Sequence, residues 1–486
     1  MMSANAGSAL DHSRRVHIVL APYTAFGHLI PLFELAKRLC PHHKCTIALS
    51  ESLYLLAQAR GTLNQIDGNG IEFLPLKDGH NYTQLDQYWD FLEIHKLNSA
   101  AVSKLIDSLP TRDGKSRTVN VSELTEALLE PVDVIITDIF IGETVAHSHR
   151  RGIPHYLFQT AAAACIPFYL LINDDTPVYP DTEDPNGFLK YLDGNTALDG
   201  RRETPQEMKS HFAPITKLFP LSAGIIVNSM RDLEERVVKR IAQDPVGQHL
   251  SLFFVGPLLT PDPSRVGLSA ETELSVDIEE WLDDKIENSV VYASLGTVGQ
   301  PSADTIMEIG RGLLLTQKPF ILSLKDSNIE HLPQSLQDQL SNRDSGFADK
   351  PFLVLPWVPQ RQVLNHSACA VFVSHCGWNS TLEGLCSGVP FTCWPMFGDN
   401  MLDAQLLVRH GVAEMMEGTG LKPARKVLGE ELAETVRKVA GWDSGEISKY
   451  KRAAKEFNKK ITEQPTFDPD RSQEQSDDFQ RLLTLL

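Results

Sequence analysis

The sequence predicts an α/β protein built from two facing doubly wound domains, and three observations carry that expectation. At 486 residues the chain is too long for one ordinary core and has room for about two or three domains. Short β-branched apolar runs alternate with longer amphipathic stretches, the pattern of parallel βαβ units. That pattern is interrupted once, by a Pro-, Ser- and Gly-bearing stretch from Thr260 to Gly267 without a hydrophobic period, and then restarts.

In chain order, VHIVLAP (16–22) reads as a strand, Leu29 to Cys40 as a helix, KCTIALS (44–50) as a strand and Ser52 to Ala59 as a helix. The alternation recurs at VDVIITD (132–138) before a helical Gly142 to Arg150, at IPHYLF (153–158), and at AGIIVNS (223–229) before RDLEERVVKRIA. LFFVGPLL (252–259) closes the first half. SVVYASLG (289–296), PFILSL (319–324), FLVLPW (352–357), CAVFVSH (369–375) and VPFTCWP (389–395) are the strand candidates of the second. The expected domains are 1–258 and 277–465, with 259–276 as linker and 466–486 as a final segment. The polar stretch Asp174 to Lys209 reads as loop, and the acidic, Gln-rich 463–479 as a fraying end.

Composition narrows the function. Apolar residues at 42% and charged residues at 22% are the balance of a globular protein. With 45 basic against 63 acidic residues the net charge is −18, which repels nucleic acid and anionic membranes. A phosphate ligand must then be held locally, by backbone donors and a few side chains. Seven cysteines form an odd set without a CxxC pair, which reads as reduced thiols in the cytosol. The first apolar run, Val16 to Pro22, is too short for a signal-peptide core, and no window reaches the roughly 18 apolar residues needed to span a bilayer. A cytoplasmic monomer is expected.

The densest chemistry lies between Trp357 and Asn400, WVPQRQVLNHSACAVFVSHCGWNSTLEGLCSGVPFTCWPMFGDN. A strand ends at His375, a Gly-containing turn follows, and a helix opens at Asn379 and Ser380. The unpaired N–H groups and dipole at such a helix start suit a phosphate, so a pyrophosphate here needs no metal. His375 and Ser380 can add hydrogen bonds, Glu383 can accept ribose hydroxyls, and Trp357 offers a flat face to a base. The plainer alternative makes Ser380 and Glu383 capping residues and Trp357 core.

His28 lies where the first strand gives way to the first helix, and a neutral imidazole there can take a proton from an acceptor hydroxyl. Asp138 ends VDVIITD and points to the same sheet edge, where a carboxylate could fix the imidazole tautomer. The plainer alternatives are a solvent-facing or capping histidine and a turn-forming aspartate. His42, His43, His147 and His149 lack a converging ligand set, so no metal is expected. Tyr82, Tyr88, Trp89 and Phe91 form an aromatic cluster that suits an acceptor pocket or ordinary packing.

The box from Trp357 to Asn400 resembles the signature of plant-type, family 1 UDP-dependent glycosyltransferases: its opening W-x-P-Q, central HCGWNS with Glu383, GVP, and closing Asp399 before an amide. Weaker similarity runs through HIVLAPYTAFGHLIPLFELAKRL, IIVNS, FVGP, EEWLD and VVYASLGT. The resemblance implies a GT-B fold of two Rossmann-like domains, with the last segment crossing back onto the first. It implies that His28, poised by Asp138, is the base. It further implies that Trp357 stacks on uracil and Val358 and Gln360 contact the nucleoside. His375, Asn379, Ser380 and Thr297 would hold phosphate, Glu383 the ribose, and Trp378, Asp399, Asn400 and Thr160 the sugar. The expected partners are a UDP-sugar as co-substrate, with no separate cofactor, and a small lipophilic, phenolic acceptor; VVYASLGTVGQPSADTI is most similar to flavonoid-type glucosyltransferases. The family usually closes the box with Gln or His, so Asn400 is a departure. A UDP-sugar hydrolase or epimerase, and a non-catalytic nucleotide-sugar binder, remain the alternatives. A dinucleotide oxidoreductase is set aside because no GxGxxG follows the first strand of either half.

Overall fold

The computed structural model describes residues 15–59, 62–63, 70–79, 91–110, 130–172, 213–259, 269–296, 301–340, 347, 350–396, 398–420, 425–443, 447–463 and 477–486. Among these, β1 (His17–Ala21), β2 (Lys44–Ser50), β3 (Ile71–Leu76), β4 (Val134–Asp138), β5 (His155–Gln159), β6 (Gly224–Val227) and β7 (Leu252–Phe254) form one sheet. β8 (Val290–Ser294), β9 (Phe320–Ser323), β10 (Phe352–Leu355), β11 (Cys369–Ser374), β12 (Phe391–Cys393) and β13 (Ala413–Met415) form a second. The strand orders are β3-β2-β1-β4-β5-β6-β7 and β10-β9-β8-β11-β12-β13. The pairs that flank the two chain reversals, β1 with β4 and β8 with β11, are parallel.

Each strand is apolar because both its faces are covered. In β1, Ile18 and Leu20 join one core cluster while Val19 and Ala21 join the cluster on the opposite face. In β8, Val290 and Tyr292 face one cluster and Val291 and Ala293 the other. This two-sided burial is the mark of parallel sheets sandwiched by helices.

In each sheet the strand order reverses beside the first strand, between β1 and β4 and between β8 and β11. Loops leaving the carboxyl ends of neighbouring strands diverge there and open a crevice. His28 follows β1 and Asp138 ends β4, whereas Gly296 follows β8 and His375 follows β11. Both groups of candidate residues therefore stand at a switch point.

Three boundaries differ from expectation. The first helix begins at Phe26, so His28 lies in its first turn. Residues 269–276 of the expected linker belong to the helix Ser269–Asp283, and 477–479 of the stretch expected to fray belong to the helix Asp477–Leu485, whereas 464–476 lie outside the described residues. That last helix packs on the first sheet: Phe479 and Leu482 enter its core, and Asp478 accepts from Arg231 at 2.8 Å and from the main-chain N–H of Phe254 at 3.2 Å. The stretch 174–209 lies outside the described residues. No helix among them is long and apolar enough to cross a membrane.

Candidate active site

The first cluster is organised around an imidazole. His28 Nδ1 lies 2.7 Å from Asp138 Oδ2, and Asp138, fully buried, uses Oδ1 to accept from the main-chain N–H of Phe140 at 2.9 Å. The carboxylate is thus held at both oxygens. An ionised Asp138 fixes the proton of His28 on Nδ1 and leaves Nε2, which has no hydrogen-bond partner among the described residues, as the basic nitrogen. The His28 ring packs beside Tyr23 and Phe140, with ring centroids 5.2 and 4.9 Å away.

Thr160, one residue past β5, places Oγ1 3.2 Å from His28 Nδ1. Resemblance assigned this residue to the sugar; the structure sets its hydroxyl beside the imidazole. Its loop is fixed by Glu234, whose two carboxyl oxygens accept the N–H groups of Ala163 and Ala164, each at 2.8 Å. Burial raises the Glu234 pKa to about 7.

The second cluster grows from the turn between β11 and the helix Trp378–Cys386. Cys376 adopts φ 66°, a left-handed conformation that costs a non-glycine residue roughly 1–2 kcal/mol and here folds the chain sharply into the helix. The N-cap is Gly377, with no side-chain cap, so Ser380 and Glu383 are not the capping pair of the plainer reading. The main-chain N–H groups of Trp378, Asn379 and Ser380 have no acceptor among the described residues, and together with the helix dipole they favour an anion.

His375 stands over this start. Burial lowers its pKa to about 4, so the ring is neutral at physiological pH, and its buried Nδ1 has no partner among the described residues. The ring sits between two glycines: a Cβ at Gly296 or Gly377 would lie 2.5 or 2.6 Å from Nε2. Ser380 Oγ accepts from Gln360 Nε2 at 3.0 Å, and the same nitrogen donates to Glu383 Oε2. Burial raises the pKa of Glu383, and the Gln360 hydrogen bond opposes that shift. Trp357 is 41% exposed, which suits a stacking face and not a core residue, whereas Val358 is buried in the core.

The remaining sugar-side candidates divide. Trp378 is buried, and its indole N–H donates to the carbonyl of Asn228 in the first domain at 2.6 Å, so its main-chain N–H is the group left for a ligand. Asp399 and Asn400 open the helix Asn400–Arg409, with the buried Asn400 amide 3.5 Å from Asp399 Oδ1. Thr297 lies outside the described residues, as do Tyr82, Tyr88, Trp89 and the side chain of Phe91. Among the described residues no group of three or more His, Cys, Asp or Glu could hold a metal ion.

The two clusters meet across the crevice: Asn379 Nδ2 donates to the carbonyl of Gly27, the residue before His28, at 3.2 Å. The first turn of the helix that carries His28 therefore touches the uncapped start of the helix Trp378–Cys386. Sequence reasoning does not single out Tyr23, Phe140 or Asn228. The only clue to them was their place just past the ends of β1, β4 and β6.

Comparison with known proteins bears on the family and the fold. Residues 259–428 match the family model described as UDP-glucoronosyl and UDP-glucosyl transferase. The chain is 28% identical over 417 residues to UDP-glycosyltransferase 72B3 of Arabidopsis thaliana, covering 82% of each protein. It is 27% identical over 410 residues to the hydroquinone glucosyltransferase of Rauvolfia serpentina, covering 80% of this chain and 82% of the relative. The solved structure of Phytolacca americana UGT2 complexed with UDP-2fluoro-glucose and pterostilbene matches the fold with TM-score 0.70 at 23% identity, covering 96% of this chain and 100% of the other.

Proposed function

We propose that this chain, which belongs to the plant-type UDP-dependent glycosyltransferases of GT-B fold, moves glucose from UDP-glucose to a hydroxyl of a small lipophilic, phenolic acceptor with inversion at the anomeric carbon. The observation that carries the reading is the His28–Asp138 pair, 2.7 Å apart, on a helix whose Gly27 carbonyl accepts from Asn379 at the uncapped start of the Trp378–Cys386 helix. The first domain holds the acceptor and the second the UDP-sugar.

His28 Nε2 takes the acceptor proton as the acceptor oxygen forms its bond to the anomeric carbon. The bond from that carbon to the diphosphate breaks on the opposite face, and UDP leaves. Attack from the side opposite the leaving group turns an α-linked donor into a β-linked product. Charge gathering on UDP meets N–H groups already in place at Trp378, Asn379 and Ser380 and a neutral His375, an arrangement that needs little reorganisation. Glu383 takes the ribose, and Trp357, Val358 and Gln360 the base. Thr297 assists at the phosphates, and Thr160, Asp399 and Asn400 at the sugar. The relatives named for hydroquinone and for a bound pterostilbene support a phenolic acceptor. Seven buried cysteines, none of them in a disulfide, support a reducing, cytoplasmic setting.

The test is a mass spectrum and a proton NMR spectrum of the products from UDP-glucose and a panel of phenols. A glycoside whose anomeric coupling is β is the expected result. Release of free glucose with every acceptor would instead make the enzyme a hydrolase.

A further inference from the structure

Behind the nucleotide-side residues lies a hydroxyl with no part in the scheme above. Tyr292, on β8, is buried to 1% exposure, and its ring stacks on Phe372 with centroids 5.0 Å apart and planes 20° from parallel. Its Oη donates to Gln360 Oε1 at 3.1 Å. The amide nitrogen of Gln360 meanwhile donates to Ser380 Oγ and to Glu383 Oε2. One tyrosine thus reaches two donor-site residues through a single glutamine.

The direction of each bond follows from the chemistry of the groups. An ionised Glu383 can only accept, so it draws the NH₂ end of Gln360 toward itself. Oε1 is then turned to Tyr292, which must supply the proton, and burial keeps that phenol protonated. Ser380 Oγ uses a lone pair on Gln360, so its own O–H points elsewhere and is available to a phosphate oxygen. Glu383 has one oxygen occupied and the other left for a ribose hydroxyl.

We propose that Tyr292 is a positioning residue for the donor: its hydroxyl fixes the orientation of the Gln360 amide, and through it sets Ser380 and Glu383 for UDP before the nucleotide arrives. Loss of that hydroxyl leaves Oε1 facing a phenyl edge. The amide then swings away to satisfy its oxygen and releases both partners, because a polar atom left without a hydrogen bond costs more than the bond contributes. The inference rests on the donor-site reading of Ser380 and Glu383.

The experiment is calorimetry of UDP and 2′-deoxy-UDP on wild type, Tyr292→Phe, Gln360→Ala and the double variant, with steady-state kinetics alongside. Phe retains the stack on Phe372, so the fold is kept. Tyr292→Phe is expected to weaken UDP about three- to tenfold, the range of one net hydrogen bond. It should raise KM for the UDP-sugar by a similar factor, leave kcat unchanged and narrow the preference for UDP over 2′-deoxy-UDP. In the Gln360→Ala background it should add nothing. Equal weakening in both backgrounds, or none in either, would overturn the proposal. Glu383→Ala with wild-type UDP affinity would instead remove the donor-site reading itself.

Discussion

Asp138 divides its carboxylate between two neighbours, holding His28 Nδ1 at 2.7 Å with one oxygen and the N–H of Phe140 at 2.9 Å with the other. The division predicts how the amide would behave. In Asp138→Asn the remaining carbonyl oxygen stays on Phe140, and the NH₂ group is turned to His28. The imidazole must then accept at Nδ1 and carry its proton on Nε2, the nitrogen that should receive the acceptor proton. Turnover should fall by about 10²–10⁴ with UDP affinity intact, as calorimetry and steady-state rates would show. Near-normal kcat would mean that the tautomer does not matter.

Gly377→Ala tests the cradle around His375. Gly377 has an ordinary φ of −60°, so alanine brings no backbone strain, but its Cβ would lie 2.6 Å from His375 Nε2. The ring must move off the helix start. We expect UDP binding to weaken about tenfold, the loss of a hydrogen bond to a charged group, with kcat less affected. Unchanged UDP affinity would take His375 out of the phosphate site.

The same structure shows why part of the architecture is legible in the sequence. Strands covered on both faces read as unbroken apolar runs, so β1, β4, β8 and β11 stand out, and with them the switch points that carry His28, Asp138 and His375. Two strands escape such a reading. β3 contains Glu72 and Pro75, and β13 is a three-residue strand with Glu414 at its centre. Both lie at sheet edges, where charge, proline and brevity are tolerated and discourage further pairing. Tyr292 is hidden for another reason: within VVYASLG it is one core residue among several, and nothing local reveals that its hydroxyl meets Gln360, 68 positions later. The indole of Trp378 is likewise committed to Asn228 by domain packing, which residue spacing does not encode.

Asp403 provides a pH signature. It is fully buried, neither carboxyl oxygen has a hydrogen-bond partner among the described residues, and burial, reinforced by Asp399 and Glu234, raises its pKa well above 3.8. The folded protein keeps it protonated at pH values where the unfolded chain ionises it. Its stability contribution is therefore intact below the unfolded pKa of about 3.9 and is lost as pH rises toward the folded value. Asp403→Asn removes this equilibrium at constant shape. Its thermal stability relative to wild type should improve as pH is raised from about 4 to 8; a difference constant across that range would refute the assignment.

Asn400 is one methylene shorter than glutamine, a loss of reach of about 1.5 Å toward a sugar hydroxyl. A missing or water-bridged hydrogen bond selects less sharply than a direct one. Asn400→Gln should therefore sharpen the preference for UDP-glucose over UDP-galactose and UDP-xylose, compared as kcat/KM. An unchanged donor ranking would show that position 400 does not read the sugar.

The central claim is that His28 is the base and has no part in holding the nucleotide. His28→Ala, assayed with UDP-glucose and a poorly acidic alcohol acceptor, measures it most directly. Glycoside formation should fall by about 10²–10⁴, the usual loss for a general base, while calorimetry finds UDP affinity as in wild type. Turnover close to wild type with that alcohol would contradict the account.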